Sequence, residues 1–180
     1  MKLFLIAVLF LAAVPGWTAE IYTFSLLPES GTIAGAPGQE VGWGSSIENQ
    51  STTHWLVTSG LAPSSFQFGT PELLFDFPIL APGSSVSAPF DAAASTGLLA
   101  LTWDPSAPLG SVETGSFLLN AEWWNGDPLA GGQFAFAASP LSQSYQATVV
   151  PEPGTAALFG LALLMGGGTA GVRRRWRQRS

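Results

Sequence analysis

Hydrophobic and polar positions change rhythm twice along the chain. Residues 3–14 are continuously apolar behind Lys2, and Pro15-Gly16 closes that run. Residues 155–172 hold eighteen positions without a charge, and Arg173, Arg174, Arg175, Arg177 and Arg179 follow at once. Between these ends the period is two rather than 3.6. Tyr22, Phe24 and Leu26 alternate with their neighbours, as do Val41, Trp43, Ser45 and Ile47, then Thr53, Trp55 and Val57. The rhythm returns in Leu73, Phe75 and Phe77, in Val86, Ala88 and Phe90, and in Leu99, Leu101 and Trp103. It continues through Phe117, Leu119, Ala121 and Trp123, then Phe134 and Phe136, and ends at Tyr145, Ala147 and Val149. The pattern predicts about nine short strands with turn residues between them.

Turn chemistry separates the sets: Pro37-Gly38, Pro82-Gly83, Asn125-Gly126 and Gly131-Gly132. Ala36-Pro37-Gly38-x-x-Val41 is echoed by Ala81-Pro82-Gly83-x-x-Val86, which reads as one turn-into-strand solution used twice. Many short strands in residues 20–149 predict an all-β domain, an antiparallel β-sandwich. The passage Pro37-Gly38-x-x-Val41-x-Trp43, with Asn49 ending the strand, resembles immunoglobulin-like modules of bacterial surface proteins. The chain has no Cys, so no disulfide holds the two sheets together. Trp43, Trp55, Trp103 and Trp123 are the expected core aromatics, each able to bury roughly 150–250 Å².

The flanking runs read as membrane segments. Residues 1–19 have the three parts of a secretory signal, with cleavage after Ala19 or after Gly16. An uncleaved N-terminal anchor is the alternative. At about 1.5 Å per residue, the apolar run of residues 155–172 reaches roughly 27 Å, near the thickness of a bilayer core. The Arg cluster that abuts it keeps residues 173–180 cytoplasmic. Pro151-Glu152-Pro153 is rigid and marks the outer edge of that transmembrane helix.

Val150-Pro151-Glu152-Pro153, then a span containing Leu158-Phe159-Gly160-Leu161-Ala162-Leu163-Leu164-Met165, then Arg173-Arg174-Arg175, resembles the PEP-CTERM sorting signal of exported bacterial proteins. The same tail also carries the label of an ice-binding-protein C-terminal motif, a name that implies nothing about ice. The resemblance covers residues 150–180. It implies recognition by an exosortase-type processing enzyme that removes the span, a Gram-negative-type envelope and an extracellular-matrix setting. An ordinary single-pass anchor is the other reading.

Charge then narrows the function. Residues 20–150 carry eleven of the twelve acids and no Lys or Arg. Nothing there neutralises phosphates, so no nucleic-acid partner is expected. Phosphoryl transfer lacks its usual cationic clamp. His54 is the one histidine, and the alternation places it opposite Trp55, facing outward. No nucleophile–base set emerges, no catalytic residue is assigned and no cofactor is expected. Asn49-Gln50-Ser51 matches a glycosylation sequon and reads as a plain turn. Glu48, Asp76, Asp91, Asp104 and Asp127 are candidate Ca²⁺ ligands, but they lack the dense spacing of a calcium loop and read as solvated acids. In Glu122-Trp123-Trp124-Asn125-Gly126-Asp127, successive Trp residues face opposite ways. Glu122 and an exposed Trp124 would suit a sugar ring. The sequence therefore predicts an exported, non-enzymatic surface or matrix protein, with a carbohydrate-binding module of the exopolysaccharide matrix as the alternative.

Overall fold

In the computed structural model, residues 21–152 and Gly154 are described. The expected signal (1–19), Pro153, the span (155–172) and the Arg tail lie outside the described residues. Among the described residues no helix is long and apolar enough to cross a membrane.

The domain is all-β. Eleven strands run in chain order: β1 (Tyr22–Leu27), β2 (Thr32–Gly35), β3 (Glu40–Asn49), β4 (Trp55–Pro63), β5 (Gly69–Leu73), β6 (Ile79–Leu80), β7 (Ser85–Ala88), β8 (Leu99–Trp103), β9 (Val112–Asn125), β10 (Gln133–Ala137) and β11 (Leu141–Val149). One sheet has the order β1-β3-β8-β5, with β7 also paired to β3. The other has the order β2-β11-β9-β4-β6, with β10 also paired to β9. All pairs are antiparallel except β2 with β11, which is parallel. The strictly antiparallel sandwich expected from the pattern is corrected at that one edge. Four residues from Thr32 to Gly35 are too few to show a period, so β2 escapes a reading by alternation.

The sheets bury their facing sides against each other. Trp43 of β3 packs on Phe117 of β9 and Tyr145 of β11, with ring centroids 5.3 and 4.9 Å apart. Its indole N–H donates to the Gly31 carbonyl at 2.8 Å. Trp103 and Trp123 are likewise fully buried, whereas Trp55 is half-buried on the outer face. In β4 it is Leu56 and Thr58 that point inward. The expected phase of Thr53, Trp55 and Val57 is thus off by one residue, the slip that exchanges the two faces of a strand. The predicted strand over Leu73–Phe77 is corrected too. β5 ends at Leu73, Phe75 is buried in an irregular segment, and Phe77 has φ 53°.

Both Pro-Gly turns close as expected. Gln39 N–H donates to Ala36 O at 3.0 Å and Ser84 N–H to Ala81 O at 3.1 Å. Gly38 and Gly83 have φ 76° and 68°, the left-handed value that the third position of a type II turn requires. On the outer side of β3, the segment Ala88–Phe90 crosses so closely that a side chain at Gly42 or Gly44 would collide with it.

Strand directions define two ends. Ile21 and the connections 50–54, 81–84 and 126–132 lie at the head; connections 28–31, 36–39, 64–68 and 104–111 lie with Val150 at the foot. The fourteen residues of β9 run from foot to head, about 45 Å at the usual strand rise.

Candidate functional site

Asn49 ends β3 and sets the phase of β4. Its Oδ1 accepts from Ser51 N–H at 3.0 Å, and Ser51 Oγ accepts from Thr53 and His54 N–H at 3.1 and 2.8 Å. That side-chain-built turn delivers β4 with Trp55 facing out. Strand pairing then aligns three aromatics across the outer face: Trp55 of β4 lies opposite Trp124 of β9, and Trp124 lies opposite Phe134 of β10. Trp124 is half-buried, and Phe134 is 54% exposed. The Trp124 indole N–H donates to Glu122 Oε2 at 3.2 Å. Trp124 and Phe134 stand at 88° with centroids 6.3 Å apart. Glu122 and Trp124 are therefore brought together on one face, as their i, i+2 spacing predicts. Trp55 and Phe134 are the members that sequence reasoning missed. The wrong phase of β4 hid the first, and no alternation rule pairs positions 124 and 134.

His54 belongs to the turn before β4. It is half-buried, its Nδ1 lies 2.9 Å from Thr53 Oγ1, and its ring meets Phe136 at 5.6 Å and 68°. The outward strand position expected for it is corrected accordingly. Asn49, the sequon residue, is fully buried. Its Nδ2 donates to the carbonyls of His54, Leu80 and Ala81 at 2.9, 3.1 and 3.0 Å, so the amide is a structural tie.

The candidate calcium ligands stay apart. Asp91 Oδ1 accepts from Ala93 and Ala94 N–H, Asp127 Oδ1 accepts from Leu129 N–H, and Glu48 lies exposed beside Gln50. Among the described residues no group of three or more His, Asp or Glu is placed to hold a metal ion.

Glu113 is buried. One of its oxygens, Oε1, accepts from the backbone N–H groups of Gln67 and Phe68 at 2.6 and 2.5 Å. This ties the β4–β5 connection to β9. The signal for it was in the sequence, because Glu113 shares the inward parity of Phe117 and Leu119. Tyr145 faces the same interior. Burial first, then the charge of Glu113, raises its phenol above the ordinary value, against a lowering hydrogen bond to Ser64. Burial also raises Tyr22, whose hydroxyl donates to Ser139 O at 3.0 Å.

At the foot, Val150 N–H donates to Gly35 O at 2.9 Å, one residue past β11. Pro151 and Glu152 come next, both exposed. Glu152 and Gly154 face the turn of Ala36, Pro37, Gly38 and Gln39 across an open cleft of about 460 Å³. Arg173, Arg174, Arg175, Arg177 and Arg179 lie outside the described residues.

No family model and no curated protein matches the chain. Among solved structures it is similar to AggA, the major subunit of aggregative adherence fimbriae type I of Escherichia coli. The identity is 10%, 74% of this chain and 98% of that one are covered, and the TM-score is 0.29. At that score the likeness carries no argument about this chain.

Proposed function

We propose that the chain is an exported, non-enzymatic protein of the cell surface or extracellular matrix, with a β-domain delivered by a PEP-CTERM sorting and anchoring tail. The observation that carries this reading is the three-part C-terminus: Pro151-Glu152-Pro153, an uncharged run over residues 155–172, and the terminal Arg cluster. The geometry of the foot supports it. Val150 is tied to Gly35, and the exposed Pro151 and Glu152 come next, so a cut in the motif leaves the strand pairing intact. The partners are an exosortase-type processing enzyme and, before processing, the bilayer. The domain is read as immunoglobulin-like. Its strand order β1-β3-β8-β5 against β11-β9-β4 parallels the A-B-E-D and G-F-C order of that class. The charge map supports a passive body. Residues 20–150 keep eleven acids without Lys or Arg, so a released domain repels its own copies at low salt.

The test is mass spectrometry of the chain in cells that make an exosortase. The mature form should end near residues 151–153, and replacing Pro151-Glu152-Pro153 with three Ala should leave the larger form in the membrane. An intact C-terminus in every wild-type molecule would make the tail an ordinary anchor.

A further inference from the structure

We propose that the outer face of the head end binds a single strand of uncharged polysaccharide, laid across Trp124 and Phe134. The inference does not rest on the sorting tail, since it concerns the β-domain alone.

The aromatics of this face are not core. Trp55, Trp124 and Phe134 form a row across three strands, about 10 Å long at the usual strand spacing. Val57 and Ile79 extend it across β4 and β6, and Ile79 is 36% exposed. Phe134 at 54% exposure leaves apolar surface in water beside the two half-buried indoles, and such surface marks a binding face more often than an accident of packing.

Two features fit a sugar. First, the indole of Trp124 is held in orientation by its bond to Glu122, so stacking on it costs little side-chain freedom. Second, polar groups run beside the rings. The Glu122 carboxylate can accept from hydroxyls, and one strand step further Asn120 lies over Gly60, its amide nitrogen 3.4 Å from where a Gly60 Cβ would stand. A pyranose offers the matching pair of surfaces, C–H faces for the rings and hydroxyls for the amide and carboxylate. The 88° angle between Trp124 and Phe134 narrows the class. Coplanar rings would suit the flat surface of an insoluble glycan, whereas these two, packed edge to face, offer no flat platform and suit one chain laid across them.

Charge selects among the other occupants. Glu122 lies within the face, Glu48 and Asp127 lie at the same end, and residues 20–150 contain no Lys or Arg. Polyanionic glycans are therefore repelled. A two-fold contact between copies of this face would take both Glu122 carboxylates out of water without a Lys or Arg of the domain to pair them.

The test uses the full chain in a polyoxyethylene detergent, which carries no sugar headgroup. Native gels contain hydroxyethyl cellulose, dextran, galactomannan or alginate. At least one neutral polymer should retard the protein, and alginate should not. Trp124→Ala should weaken retardation about tenfold, and Phe134→Ala by several-fold. Trp124→Phe should retain part of the binding. Phe134 is largely exposed, so its variant keeps the fold and reads the face even where Trp124→Ala unfolds. Four results would overturn the proposal: no retardation in any neutral gel, equal retardation of wild type and Phe134→Ala, stronger retardation by alginate, or a concentration-dependent dimer lost in Phe134→Ala without glycan binding. Because the unprocessed chain is used, failure here leaves the sorting reading standing, and failure of C-terminal processing leaves this one standing.

Discussion

At the head of the sandwich the loops are gathered by Asn49, a neutral amide; toward the foot a loop is gathered by Glu113, a carboxylate. Both side chains are buried, and both reach backbone groups rather than other side chains. Their chemistry sets what each can tie. An amide donates and accepts, so Asn49 joins three carbonyls and one N–H from two connections, 50–54 and 81–84, and the end of β6. A carboxylate accepts only, so Glu113 takes two successive N–H groups of one connection. The contrast teaches that a buried polar residue is best read by the loops it satisfies. In a domain without Lys or Arg, backbone N–H groups supply the partner that a buried acid lacks elsewhere.

The contrast can be broken most sharply at the head. Asn49→Ala removes four hydrogen bonds and leaves buried backbone groups unpaired at a position with no exposure. The expected loss is about 3–4 kcal/mol of unfolding free energy. Urea unfolding of the full chain in non-ionic detergent, followed by Trp fluorescence, measures it. A loss below about 1 kcal/mol would mean that water replaces the amide and that the head is not held by Asn49.

Glu113→Gln should cost less, about 1–2 kcal/mol, because the amide oxygen still accepts and what is lost is the charge on the bond. The effect should be local. Hydrogen exchange at Gln67 and Phe68 should quicken while the amides of Ser51 and His54 keep their wild-type rates. Equal quickening at both ends would show that the two ties act as one unit.

The legibility of these features depends on where the information sits. The alternation placed Trp43, Trp123 and Phe117 inside because β3 and β9 are long and repeat their parity several times, and Trp103 inside because Leu99 and Leu101 share its parity within β8. It misplaced Trp55 because the phase of β4 is set by the Asn49–Ser51–His54 turn, a side-chain arrangement that hydrophobicity does not encode. It passed over β2 because four residues show no period and because its parallel partner β11 lies more than a hundred residues away. Glu113 went unread although its parity was inward, since a lone acid reads as solvated until its N–H partners are known. On the face of the candidate site, Glu122 and Trp124 were legible as an i, i+2 pair within one strand. Phe134 and Trp55 depended on cross-strand register, which one sequence does not state. The two Pro-Gly turns were legible in full, because a left-handed φ at the third position selects glycine by sterics alone.

The smallest expected effect sharpens the contrast by pH. Each half of the sandwich holds one buried tyrosine, Tyr22 toward the head and Tyr145 beside Glu113. Both phenols are raised above the ordinary value of 10.0, first by burial, and Tyr145 further by the Glu113 charge. A raised value means that the folded chain holds protons the unfolded chain has released. Their contribution is therefore complete below pH 10.0 and is lost as pH rises through the raised values. The urea midpoint should hold from about pH 8 to about pH 10 and fall above it. At neutral pH, Tyr145→Phe should change stability by less than about 1 kcal/mol, since its bond to Ser64 O is 3.5 Å long. Above pH 10.0 the same variant should flatten the fall. Glu113→Gln should also flatten it, through Tyr145 alone, while Tyr22→Phe should flatten it independently, so the Glu113→Gln and Tyr22→Phe effects should add. If Glu113→Gln leaves the alkaline slope unchanged, the carboxylate does not act on Tyr145, and the charged tie differs from the neutral one in its hydrogen bonds alone.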